Sequence, residues 1–185
     1  MNTSILFNKS FRFAALASVV ALGAFGASNS FAADSATANS TADVITPIAI
    51  DSVNDLAFGR FVVNGAIGTV TIATDSSRTA TEGVVLSSTG PTSSAATFEV
   101  TGGGSATYSI GLTNTTLTST GGAAMPWDTI SSLETSNSTT AADVTSGTLT
   151  TEGKQTIHLG GILSVGATQI AGTYEGTVTA TVEYN

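Results

Sequence analysis

The sequence predicts an all-β protein, an antiparallel β-sandwich, and three observations carry that expectation. The first is the C-terminal segment from Tyr174 to Tyr184. Its even positions are Tyr174, Gly176, Val178, Ala180, Val182 and Tyr184, and its odd positions are Glu175, Thr177, Thr179, Thr181 and Glu183. A strand sends successive side chains to opposite faces, so this alternation gives one apolar and one Thr/Glu face. The second observation is the same grammar elsewhere, in short β-branched runs separated by Gly, Asn, Asp and Ser turns. The third is that no amphipathic helical period follows the N-terminal region.

The elements follow in chain order. Met1 to Ala32 reads as a secretory signal peptide. Lys9 and Arg12 lie in a short basic segment, an apolar run extends from Phe13 to about Phe25, and Ser30-Phe31-Ala32 is a small-residue cleavage site. The apolar run is short for a membrane span and holds Gly23 and Gly26. No later stretch is long and apolar enough to cross a bilayer as a helix. Residues 33–43 are small and polar and read as a flexible N-terminal extension. Within it Ala36, Ala38, Ser40, Ala42 and Val44 alternate with polar partners, so a weakly apolar strand is available if something receives it.

The folded domain is expected over residues 44–185. Val44 to Ile50 is a β-branched run containing Pro47, which points to a sheet edge or bulge. Asp51 to Asp55 reads as a turn, Leu56 to Val63 as a strand bent at Gly59, and Asn64-Gly65 as a tight turn. Gly68 to Thr74 alternates through Val70 and Ile72. Asp75 to Gly83 reads as a polar loop and Val84 to Leu86 as a short strand. Residues 96–101 and 106–113 look like a hairpin across Gly102-Gly103-Gly104-Ser105. Weaker strands are expected at Thr116–Ser119, Thr129–Ser136 and Gly147–Thr150. Lys154–Leu159 is a clean strand, interrupted by Gly160-Gly161 and resumed at Ile162–Val165. With the terminal strand this makes nine or ten, the count of an immunoglobulin-like sandwich with Greek-key connections, or of a closed barrel. At about 150 residues one domain buries roughly 68–70% of its unfolded surface, enough to stand alone.

Charge and composition exclude whole classes of function. The chain has five Lys and Arg against thirteen Asp and Glu, a formal net charge of −8. Loss of residues 1–32 removes Lys9 and Arg12 and leaves three basic residues against thirteen acidic ones, a formal −10. Nucleic acid is not a partner for such a surface, because phosphate contacts need clustered Lys and Arg. There is no cysteine, so the stability of an exported chain must come from its core, from calcium or from assembly.

Catalytic chemistry is sparse, and a non-enzymatic protein without a cofactor is expected. The single histidine, His158, falls on the polar face of its strand, where a solvated side chain is the plain reading. Gly102-Gly103-Gly104 is followed by neither Lys-Ser/Thr nor a helix, so it is no phosphate loop. Asp51, Asp55, Asp75, Asp128 and Asp143 lie in expected turns or loop margins, where carboxylates and carbonyls can gather Ca²⁺. They match no calcium-loop pattern, so solvated turn residues are the plainer reading. Trp127, the only tryptophan, follows the loop Gly121-Gly-Ala-Ala-Met-Pro126. At a loop tip it would offer a ring to a sugar or surface; folded back, it would cap the core.

The C-terminal strand also carries a resemblance. An aromatic at the penultimate position (Tyr184), a glycine fourteenth from the end (Gly172) and alternating Val178, Ala180 and Val182 resemble the terminus of chaperone–usher fimbrial subunits. The ending is similar to that of the spore-coat-U-like, archaic branch. It is similar as well to a secreted bacterial family known only as a domain of unknown function. For the latter, Pro47, Ile48, Ile50, Leu56, Phe58 and Gly59 match too.

The fimbrial resemblance implies a sandwich lacking its last strand, whose groove receives a strand first from a periplasmic chaperone and then from the next subunit at an outer-membrane usher. It implies a donor strand at Ala36, Ala38, Ser40, Ala42 and Val44. It implies a subunit and chaperone interface at Gly172, Tyr174, Val178, Ala180, Val182 and Tyr184. The expected role is then a surface structural subunit, exported through the periplasm and partnered by other copies of itself. The alternative is a self-contained secreted sandwich that adheres to a glycan or matrix, with or without Ca²⁺, through the loop at Trp127.

Overall fold

The computed structural model describes residues 34–185. The expected signal peptide, residues 1–32, lies outside the described residues. The chain divides into two units, the first ending at Ala42 and the second running from Asp43 to Asn185. The described part of the first, residues 34–42, is exposed throughout and holds neither strand nor helix.

The second unit is all-β. Its strands are β1 (Ala49–Asn54), β2 (Phe61–Val63), β3 (Gly68–Ile72), β4 (Arg78–Ala80), β5 (Val84–Leu86), β6 (Ala96–Thr101), β7 (Thr107–Asn114), β8 (Trp127–Ser132), β9 (Ser146–Thr148), β10 (Lys154–Val165) and β11 (Val178–Tyr184). Every pairing between these strands is antiparallel. A six-stranded sheet has the order β1-β6-β10-β3-β4, with β8 also on β10. A three-stranded sheet has the order β11-β7-β9, and β2 and β5 form a small ribbon. The sheets pack in a sandwich-like arrangement, as the alternation predicts.

The twelve-residue β10 holds the larger sheet together. His158 and Leu159 pair with both β6 and β8, while Gly161, Ile162 and Leu163 pair with both β3 and β8. β6 and β3 therefore share one flank of β10, and β8 occupies the other. Continuity through Gly160-Gly161 corrects the expected interruption. A Cβ on Gly160 would run into the backbone of Ile72, and one on Gly161 into the Trp127 ring. These glycines admit close neighbours inside a strand; they do not end one.

A second correction concerns 96–101 and 106–113, which are not a hairpin. β6 pairs with β1 and β10 in the larger sheet, whereas β7 pairs with β11 and β9 in the smaller one. The glycine turn carries the chain across the core. Alternation looks the same in both cases, since Phe98 and Val100 of β6 and Tyr108 and Ile110 of β7 point into one shared interior. That interior is filled by Val70, Ile72, Ile157, Leu159 and Leu163, with Leu149 and Trp127.

Strand edges differ from expectation where polar residues occupy them. Asp51 to Asn54 belongs to β1 and pairs with β6 through a register shift between Ser52 and Asn54. Nearly all of β1 is exposed, so its polar sequence reads as a turn although its backbone is paired. Arg78–Ala80, within the expected polar loop, is the short strand β4. Of Leu56–Val63 only the last three residues form a strand, because Gly59 turns the chain at a φ of 71°. Around Thr116–Ser119 only isolated bridges form, Leu117 with Met125 and Thr118 with Glu175. The terminal strand is shorter than its alternation: Glu175 makes an isolated bridge, and regular pairing begins at Val178.

Candidate functional site

The arrangement most unlike a closed sandwich is at β11. Val178, Ala180, Val182 and Tyr184 form its inward face, and each is half-buried against the core, while Thr179, Thr181 and Glu183 are exposed. Seven consecutive residues pair with β7, from Val178 opposite Asn114 to Tyr184 opposite Tyr108. The other flank has no strand neighbour among the described residues. β1 is the corresponding edge of the larger sheet, and its half-buried Ile50, with Ile48 just before it, packs on the same core. The backbones of β1 and β11 approach one another. Two sheet edges with half-buried apolar residues thus border a seam on one side of the sandwich.

Edges of this kind are normally blunted by Lys, Pro, a bulge or covering chain, because a free row of N–H and C=O groups recruits other strands. β1 has its register shift, and Pro47 precedes it. β11 has no Pro, no Lys, no Arg and no shift in its pairing with β7.

One end of the seam is closed by Tyr184. Its hydroxyl donates to the Thr46 carbonyl at 2.7 Å and accepts the Gly103 N–H at 2.7 Å. Gly102 lacks a side chain where a Cβ would strike that hydroxyl. The ring therefore ties the C-terminal strand to the chain entering β1 and to the turn after β6. Alternation found the aromatic but gave no sign of these partners. Ile48 and Ile50, absent from the expected interface, were visible as a β-branched run and as part of the family resemblance.

The remaining sequence-nominated residues fall elsewhere. Gly172 and Tyr174 precede β11 and lie by the 117–122 segment. A Cβ on Gly172 would meet Ser119, the Tyr174 ring lies against Gly122, and its hydroxyl donates to the Ile170 carbonyl at 3.0 Å. Both precede the regular pairing of β11, which begins at Val178. Ala36, Ala38, Ser40 and Ala42 are exposed, and Val44, in the second unit, is 93% exposed.

Trp127 is 7% exposed, its Nε1–H donates to the Thr115 carbonyl at 2.8 Å, and its ring meets Phe58 edge-on at 5.8 Å. A ring so placed caps the core, the folded-back placement that the sequence offered for it, and presents no face at a loop tip. The aspartates do not converge: among the described residues no three Asp, Glu or His side chains gather as a metal site. Asp143 accepts from the Thr129 and Ser131 hydroxyls. Asp75 accepts the Ser77 N–H at 2.8 Å, and hydrogen bonding from Ser77 lowers its pKa. His158 is half-buried and pairs across to Thr97 and Ser132 on neighbouring strands.

Comparison with known protein families gives one match. A model described as Domain of unknown function (DUF4402) covers residues 48–184. The chain belongs to that family. The DUF4402 match opens at Ile48 and closes at Tyr184, so it spans every strand from β1 to β11 and leaves the exposed leader outside. No curated protein and no solved structure matches the chain.

Proposed function

We propose that this protein is a non-enzymatic structural subunit of a cell-surface fibre, and that copies join by donating the N-terminal leader as a strand to the β1/β11 seam of a neighbour. The observation that carries the reading is the unguarded edge of β11 with its half-buried apolar face. A strand laid there would take up the free main-chain groups of β11, and its alternate side chains would cover Val178, Ala180 and Val182. The leader has the matching form: Ala36, Ala38, Ser40, Ala42 and Val44 alternate, and all are exposed. Donation from one copy to the next is head-to-tail and does not close, so it builds a fibre and not a dimer.

In this reading the signal peptide exports the chain to the periplasm. A chaperone covers the seam in transit, and an outer-membrane usher delivers the subunit to the cell surface.

The test is light scattering after size-exclusion chromatography on the mature chain, beside the same chain lacking residues 33–43. The full chain is expected to polymerise or to travel with a chaperone, and the shortened chain to remain monomeric. Two stable monomers with equal melting temperatures would sink the proposal. Because the chain has no cysteine, an introduced Ala38→Cys/Ala180→Cys pair reports directly on contact between copies. Disulfide-linked ladders are expected in the full chain.

A further inference from the structure

The strand-donation reading leaves a physical problem, since a leader able to enter a neighbour's seam is joined by a few residues, through Thr46 and Pro47, to β1 of its own chain. Thr46-Pro47 is a natural place for the chain to reverse. Proline presets φ for the second position of a turn and holds the residue before it extended. A reversal there would send Ile45, Val44 and the residues before them back along the free flank of β1. Local closure of so short a loop carries far less entropic cost than recruiting a second molecule. Yet Val44 and Ile45 are 93% and 66% exposed, and no residue from 34 to 48 is in a strand.

Among the described residues, the side chain hydrogen-bonded to the root of the leader is that of Tyr184. Its hydroxyl sits between the Thr46 carbonyl and the Gly103 N–H, each at 2.7 Å. It thereby holds the carbonyl that precedes Pro47, while the ring packs against the core at the end of β11. We propose that Tyr184 is a positioning residue that keeps the leader out of its own seam and so leaves that seam for the leader of a second copy. The inference rests on the strand-donation reading for its consequence, but the clamp acts within a single chain and is testable there.

The experiment is hydrogen exchange on the full mature chain, diluted until it is monomeric, with Trp127 fluorescence marking folded protein. In the wild type the amides of residues 34–45 are expected to exchange without protection, and that of Gly103 slowly. In Tyr184→Phe the Gly103 amide is expected to lose protection, while amides of the leader slow by about 10-fold as it folds back and pairs. Gly102→Ala, whose Cβ displaces the same hydroxyl from the other side, is expected to do likewise. Both variants should then polymerise less than the wild type on concentration.

If Gly103 is released while the leader stays unprotected, or if the wild-type leader is already protected, the proposed guard is overturned. Failure of strand donation itself has a different signature. The leader would slow in the variants as described, but wild-type chains would form no ladder through Ala38→Cys/Ala180→Cys.

Discussion

Tyr108 is fully buried, and its hydroxyl has no hydrogen-bond partner among the described residues. Its ring lies against Gly147 of β9, where even a Cβ would collide with it. A buried hydroxyl without a partner costs roughly 1–3 kcal/mol of lost hydration, while the ring around it contributes packing. Tyr108→Phe is therefore expected to leave stability unchanged or to raise it by about 1 kcal/mol, read from the denaturant midpoint at neutral pH. Burial also raises the pKa of this phenol above its ordinary 10.0. The unfolded chain then ionises first as pH rises, so the folded state holds more protons and stability falls with pH above about 10. Over that range the wild type should lose more stability than Tyr108→Phe; parallel alkaline curves would refute the assignment. Arg78 illustrates the opposite use of a polar group. It has no carboxylate partner among the described residues, and its guanidinium donates to the carbonyls of Phe58, Arg60 and Ser87 at 3.2, 3.3 and 2.8 Å. It thus fastens the segment around β2 and the end of β5 to β4.

At the scale of the element, β10 has the most neighbours to satisfy, and its two central glycines are the means. The Gly160 Cα faces the Ile72 backbone, which has no freedom to rotate away, so Gly160→Ala is expected to cost about 1–3 kcal/mol through forced separation of β10 from β3. Gly111→Ala on β7 is the control, because its nearest atom is the exposed Thr181 hydroxyl, which can move. Equal midpoints for the two variants would mean that β10 is not tightly held there. The glycines also explain what the sequence left illegible. Alternation located β3, β6, β7 and β10 because each has buried residues at every second position over part of its length. It could not say that β6 and β7 lie in different sheets, since both face one core. Nor could it recover β1 and β4, whose places are fixed by backbone pairing with β6 and β3 and not by an apolar face. Of the candidate site, Val178, Ala180, Val182 and Tyr184 were readable as one face. Gly172 and Tyr174 continued the pattern in sequence, but the chain leaves the strand before reaching them. The Thr46 and Gly103 partners of Tyr184 are a carbonyl and an N–H, which every residue has, so no residue type announced them.

For the whole molecule, charge and shape oppose one another. Residues 33–185 carry a formal −10, and the one ion pair among the described residues joins Lys154 to Glu99 at 2.8 Å on the surface. Such an exposed pair contributes little to stability. Copies approaching one another therefore repel over a distance set by salt, about 30 Å at 0.01 M and about 10 Å at 0.1 M. The contact proposed at the seam would be main-chain and apolar, with neither Lys nor Arg on β1 or β11 to attract an acidic leader carrying Asp34 and Asp43. Repulsion thus acts on the encounter and not on the bond once made. Raising salt from 10 to 100 mM is expected to speed polymerisation of the mature chain severalfold while leaving the dissociation of preformed ladders nearly unchanged. Light scattering against time at several salt concentrations measures the first, and dilution of preformed polymer the second. Slower assembly at higher salt would mean that opposite charges meet across the contact. The seam between β1 and β11, which has no basic residue to offer, could not then be where the copies join.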